Sequence, residues 1–291
     1  MKKLLTAITI MLMVSALNAG FRIVKATNGK ELTIPKLARD LLKYDVIFFG
    51  EEHGVAEIHA LQRELLPYLQ DSKRKLILSF EMWERDTQDV MDQFLAGQIT
   101  EDEFIELSRV WPGYEQDYRP LIMYAKEHQL PVVAANVPTN YSGQVTRNSW
   151  DFIADLPESE RRLIASEFSA PQDAYHDAFM QTMQTIGGHH IDPQSLEYYY
   201  QAQCLKDDTM AESIYIALDY YKKARILHFN GAFHSQGFLG TVSRLQQRLP
   251  KLKIAVITPV RVADSHNHKA TAVQRSAGTH LLLMDEVEAQ R

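Results

Sequence analysis

The chain has 291 residues, 45% of them hydrophobic, and a formal charge of −6 from 31 basic and 37 acidic side chains. That balance leaves no electrostatic footprint for nucleic acid. The single cysteine, Cys204, excludes an internal disulfide and a cysteine-rich metal cage, and inside a helical pattern it reads as a small buried hydrophobe.

Lys2 and Lys3 precede an apolar run from Leu4 to Val14 and the small residues Ser15, Ala16, Ala19 and Gly20. This pattern reads as a secretory signal over residues 1–19, because the run is well short of the ~20 residues of a spanning helix. Removing it takes away two lysines and no acids, which moves the charge from −6 to −8. No cysteine near the cleavage region offers a thiol for lipid attachment. The reading is therefore a soluble periplasmic protein, without a lipobox cysteine even if it associates with the outer membrane. The remaining ~270 residues suit one large domain or a domain with an insertion.

Short β-rich runs recur at Asp45–Phe49, Leu76–Phe80, Pro131–Ala135, Arg225–Phe229 and Ile254–Thr258, with a weaker one at His280–Met284. Helical periodicity fills the gaps, at Ala56–Leu69, Thr87–Leu95, Tyr118–His128 and Gln236–Leu249. Alternation of this kind predicts an α/β fold, a mostly parallel sheet flanked by helices. From about Asn148 to Tyr221 no strand is evident. Helical segments are expected there at Trp150–Asp155, Glu158–Phe168, Gln172–Ile186 and Pro193–Tyr221. Residues 148–221 thus read as an all-helical insertion in an α/β domain of residues 20–147 and 222–291. Residues 262–279 are polar and read as a loop.

One pattern occurs twice. Val46–Phe49 runs into Gly50-Glu51-Glu52-His53, and Ile226–Asn230 runs into Gly231-Ala232-Phe233-His234. Each is a strand, a glycine turn and a histidine, placed where open parallel sheets gather their ligands. Glu81 and Glu84 follow the second strand, and Asn136 the third. His53, Glu81 and His234 are the ligand types of an open zinc-like site, with Glu51 or Glu52 as a base; they are equally the ingredients of a polar pocket. His59 lies within two turns of His53. In the helical stretch, Tyr175, His176, His189, His190 and Tyr198 cluster with Met180 and Met183. Such groups are able to ligate haem iron and line porphyrin faces, or to form a Met-rich bundle core beside a solvated histidine loop.

Taken together, several motifs resemble those of the ChaN-like haem-binding uptake proteins, in a superfamily with the Tiki metalloproteases, TraB proteins and erythromycin esterases. They are Gly-Glu-Glu-His with His59 and Gln62, Glu81-Met82 with Arg85 and Gln88, and Trp111 with Tyr118-Arg119-Pro120-Leu121. Ala135-Asn136-Val137-Pro138, Ala202-Gln203 with Asp207 and Met210-Ala211, and Gly231-Ala232-Phe233-His234 complete the set. The resemblance implies an α/β domain with a helical insertion, export, and a role in haem or iron acquisition. It further implies two subunits paired around haem, with possible haem-transport components as partners. Tyrosine ligation is implied too, with Tyr175, Tyr118 and Tyr198 as candidates and His176, His189 and His190 in support. The Tiki relatives imply instead a metal-dependent hydrolase on His53, Glu81 and His234, with zinc or a similar divalent ion. Family members are often lipoproteins, and this chain departs from them in lacking the cysteine.

Overall fold

The computed structural model describes residues 20–71, 73–187 and 191–286. The strands are β1 (Phe21–Lys25), β2 (Val46–Glu51), β3 (Leu76–Glu84), β4 (Val132–Asn136), β5 (Arg225–Gly231), β6 (Ile254–Val262) and β7 (His280–Asp285). The helices before β5 are α1 (Ile34–Leu41), α2 (Ala56–Leu69), α3 (Gln88–Leu95), α4 (Glu101–Ser108), α5 (Arg119–Glu127), α6 (Thr139–Asn148), α7 (Glu158–Arg161), α8 (Ala174–Gly187) and α9 (Pro193–Tyr220). Those after it are α10 (Gly240–Arg248) and α11 (Ala272–Ser276).

The strands form one sheet in the order β1-β7-β6-β2-β5-β3-β4, parallel throughout except for the antiparallel edge pair β1–β7. The period of two along each strand sorts its side chains between two cores. Ile47, Phe49, Leu78, Phe80, Leu227 and Phe229 pack under α1, α2 and α5. Val46, Phe48, Ile77, Ile226 and Val256 meet Ala211, Ile214 and Ala217 of α9 and Val242 and Leu245 of α10. Such strands, buried on both faces, read as unbroken apolar runs, which is why the sequence displayed β2, β3, β5 and β6 so clearly.

The architecture agrees with the α/β expectation, and the elements differ from it in places. Strand β1 and helices α1, α4 and α6 went unpredicted, being short, and the stretch 262–279 expected as a loop contains the short helix α11. The helix expected over Glu158–Phe168 stops at Arg161. There the Arg161 guanidinium donates to the carbonyl oxygens of Ile164, Ala165 and Ser166, holding the chain in turns. Trp150–Asp155 is a 3₁₀ turn over Asp151–Asp155. The 28-residue α9 serves two layers. Its carboxyl-terminal half covers the sheet, and its amino-terminal half packs with Tyr175 and Phe179 of α8.

A functionally relevant departure lies in β3. The strand was expected to end at Phe80, but it continues to Glu84, with a register shift against β4 between Phe80 and Glu84. Glu81 is therefore a strand residue. By the strand's alternation it shares a face with Ile77 and Ser79, toward α9 and α10.

Candidate functional site

The carboxyl ends of β2, β3 and β5 deliver Glu51, Glu81 and Gly231 to one rim. β2 pairs with β5 through Glu51 and Gly231, and Gly231 then turns into the 3₁₀ segment Ala232–His234. Two hydrogen-bonded networks meet at Gly231.

The first network is built on Glu51, whose carboxylate is buried. One oxygen, Oε1, accepts from the Tyr118 hydroxyl at 2.8 Å and from His53 Nδ1 at 2.9 Å. The other, Oε2, accepts from Gln62 Nε2 at 2.6 Å. Gln62 in turn orients buried His59, with Nδ1 at 3.0 Å from the amide oxygen. Glu51 thus fixes the His53 ring through Nδ1 and raises its pKa above the ordinary histidine value, chiefly through that hydrogen bond and against the pull of burial. The His53 side chain is 48% exposed. Its ring meets the edge of Trp111 at 5.4 Å. Trp111 also lines a polar groove of about 560 Å³ together with Arg109, Glu84 and Thr139.

The second network is buried and ionic. His234 sits between two carboxylates, with Nε2 3.2 Å from Glu81 and Nδ1 2.8 Å from Asp207. Burial opposes its charge, yet the two anions dominate and raise its pKa to about 10. Glu81 is held well below the usual carboxylate range: burial works the other way, and the His234 charge overcomes it. The second Glu81 oxygen accepts the Gly231 amide at 2.6 Å. Asp207 accepts from Thr241 and from the Tyr175 hydroxyl, both at 2.7 Å. Gln203 Nε2 donates to the same Tyr175 oxygen at 3.1 Å.

Gly231 is the hinge between the networks. A Cβ there would stand 3.0 Å from His53 Nε2, tighter than an ordinary contact, and 3.6 Å from Glu81 Oε2, so glycine leaves the His53 ring room beside Glu81. At this second copy of the strand-glycine-histidine pattern the glycine thus has a steric reason.

The sequence-derived candidates therefore separate. His53, Glu51, Glu81, His234, Tyr118 and Tyr175 belong to the rim networks. Glu52 does not: it points to Arg261, which grips it with Nε at 2.9 Å and Nη2 at 2.5 Å in a partly exposed ion pair. His176 lies between α8 and α9, its Nε2 3.1 Å from Glu197 and its ring 4.9 Å from Tyr200. His189 and His190 lie outside the described residues. The Tyr198 hydroxyl accepts from Gln194.

Two participants, Asp207 and Gln203, enter the sequence reading only as part of a motif. Helical spacing points to them, since they lie one turn apart on one face of α9. Tyr200 is buried and donates to the Pro171 carbonyl, while Tyr199 is 36% exposed.

Both His234 nitrogens face carboxylates, and its raised pKa favours the doubly protonated ring, whereas metal ligation requires a neutral imidazole. Among the described residues, no group of three or more His, Cys, Asp or Glu side chains is arranged to hold a metal ion. Tyr118 and Tyr175 are likewise committed as donors. Burial and the adjacent Glu51 push the Tyr118 phenol far above its ordinary range, and burial and Asp207 do the same to Tyr175.

The family model described as haem-binding uptake, Tiki superfamily, ChaN matches residues 37–245. Among solved structures, the fold is similar to ChaN of Campylobacter jejuni with cofacial haem, at a TM-score of 0.68 and 15% identity over 90% of this chain and 96% of that one. A mutant of the erythromycin esterase EreC in its open conformation gives 0.48 at 12% identity, covering 84% and 77%. The type III effector HopBA1 gives 0.48 at 9%, covering 87% and 94%. No curated protein matches. Over the described residues, no helix is long and apolar enough to cross a membrane.

Proposed function

The chain belongs to the haem-binding uptake family (ChaN) of the Tiki superfamily, and from that premise we propose that it binds haem against the outer face of α8 and α9, in a pair of subunits, as an exported factor of iron acquisition. The family match carries this reading, and the side chains on the two helices suit it. Met180, Met183 and Leu196 are partly buried around the Tyr175–Phe179–Tyr200 cluster and offer polarizable, apolar surface for a porphyrin face. Tyr199 is an exposed phenol in the amino-terminal half of α9, and it is the tyrosine we assign as iron ligand. When bound, ferric iron supplies the Lewis acidity that a phenol needs to ligate as phenolate at neutral pH. Tyr175 and Tyr118, held as donors by buried carboxylates, act as framework. His176, pinned by Glu197, supports the same wall. Export rests on residues 1–19, and transport components are the expected recipients of the cargo.

Titration of the purified protein with ferric haem, read by absorption and by size-exclusion chromatography, tests the proposal. A saturable spectral change with a shift to a dimer-sized species is the expected result. Weak, unsaturable uptake at unchanged size would overturn it.

A second reading, hydrolysis, has one observation in its favour. Glu51 fixes His53 through Nδ1, so that Nε2 faces the exposed rim beside Gly231 as the lone-pair nitrogen of a general base. In that reading the buried His234 imidazolium stabilises negative charge developing across the rim. Turnover of model esters that vanishes in a His53→Ala variant would favour it over haem binding.

A further inference from the structure

The edge of the sheet opposite the rim has its own chemistry. Four loops, residues 42–45, 70–71 with 73–75, 221–224 and 249–253, precede β2, β3, β5 and β6 and so lie side by side at the amino edge of the parallel strands. Together they carry eight Lys and Arg side chains against two acids, in a chain whose net charge is −6. Both acids are already engaged: Asp45 pairs with Arg74 and Asp71 with buried Arg225, each at 2.9 Å. Lys73, Lys75, Lys223, Lys251 and Lys253 are exposed, and none has a salt-bridge partner among the described residues.

These cations surround apolar surface. A cavity of about 530 Å³ opens between the loops, walled by Leu218, Leu249, Pro250 and Leu252, with Arg74 and Lys251 at its margin. Beside it, near the end of α9, Tyr220 is 77% exposed and Ile216, one turn earlier, 53%. Basic side chains ringing an apolar hollow, with an exposed tyrosine alongside, match the interfacial layer of an anionic bilayer. There the phosphates attract lysines, and amphipathic rings sit at headgroup level. A free phosphate would leave the hollow and Tyr220 unmatched. A nucleic-acid duplex, which presents a charged phosphate surface, would likewise leave the apolar hollow and Tyr220 unmatched.

We propose that this amino edge docks on an anionic phospholipid surface, with the lysines on headgroup phosphates and the Leu-lined cavity and Tyr220 in the interfacial layer. The sheet then stands on end. The six-residue β2 lifts the Glu51–His53 rim about 20 Å from the bilayer at ~3.3 Å per residue, facing the aqueous phase. This inference is independent of what the rim binds.

Sedimentation with phosphatidylcholine vesicles, with and without phosphatidylglycerol and at low and high salt, tests it. The protein should pellet only with the anionic vesicles, and salt should weaken the binding. A Lys73→Glu/Lys223→Glu/Lys251→Glu variant should lose on the order of a hundredfold or more in partitioning, at roughly fivefold per cation near the surface. Tyr220→Ser should remove the part that survives high salt. Equal binding to neutral vesicles, no binding to anionic ones, an undiminished triple variant, or equally tight binding to a DNA duplex would each overturn the proposal. Circular dichroism and haem titration of the triple variant check its fold and keep the two sites separable; if it fails to fold, the Lys→Gln series reads the same loss.

Discussion

Glu81 and His234 face each other at 3.2 Å in a buried pocket, and the remaining nitrogen of His234 reaches Asp207 at 2.8 Å. One imidazolium therefore neutralises part of two buried carboxylates that arrive from a strand and a helix. Removing it strands both anions, and loss of one partner of a buried pair costs about 3–5 kcal/mol. His234→Ala should accordingly lower stability by that order, measurable by urea unfolding.

The same group sets a pH dependence. His234 is raised from 6.5 to about 10 in the native state, so its contribution is fully present below pH 6.5 and is lost as pH rises toward 10. Glu81 is lowered from 4.5, so its contribution is present above that value and lost as pH falls below it. Melting temperature should hold a plateau between about pH 5 and 6.5 and decline on both sides. In a variant lacking His234 the alkaline decline should shrink; an unchanged alkaline limb would show that His234 is not the titrating group.

Glu51→Gln tests the anchoring of the rim histidine. The hydrogen bond from His53 Nδ1 to Glu51 is the largest cause of its raised pKa. The variant should bring the His53 titration, followed by NMR, down toward 6.5. Haem affinity should change little if the ligand face is α8–α9.

Glu52→Gln is the contrasting change. Its carboxylate is tied to Arg261 in a partly exposed pair, and surface pairs of this kind are worth about 0–1 kcal/mol. Stability and haem binding should both stay near wild type. A large loss of activity in any ester assay would restore Glu52 as a base.

The three tyrosines of the α8–α9 wall and the rim should behave differently. Tyr199→Phe should abolish the tyrosinate charge-transfer band of the ferric haem complex. Tyr175→Phe leaves a buried Asp207 oxygen short of a donor, at a cost of about 1–3 kcal/mol, while the spectrum keeps its form. Retention of the band in Tyr199→Phe and its loss in Tyr198→Phe or Tyr175→Phe would move the ligand.

Gly240→Ala probes the support beneath His234. Gly240 has φ +54, and a Cβ there would lie 2.5 Å from the His234 carbonyl oxygen and 3.1 Å from Asp207. Left-handed strain and a backbone clash act together. The variant should unfold at lower urea by more than the ~1 kcal/mol of an ordinary helix substitution.

The inner strands were legible because a strand covered on both faces must be apolar at every position, as Val46–Phe49 and Ile254–Ile257 are. β1 was not legible, since two of its five residues, Arg22 and Lys25, are charged and its strand pairing is with β7 alone. The rim histidines were legible for a similarly local reason: a strand, a glycine and a histidine in succession place the imidazole at the carboxyl edge whatever lies around it.

The sequence by itself determined the strand-and-helix alternation, the family, and the placement of His53, Glu81 and His234 at one edge, because each depends on neighbours within a few residues. Only the tertiary structure decided what those groups do to one another. Asp207 lies 27 residues before His234 and Tyr118 lies 67 beyond Glu51, and folding brings each pair into contact. Those contacts set His234 between two carboxylates, and Tyr118 and Tyr175 as buried donors to Glu51 and Asp207. The protonation state and free lone pairs of a side chain are set by its surroundings in space, which the order of residues along the chain does not carry.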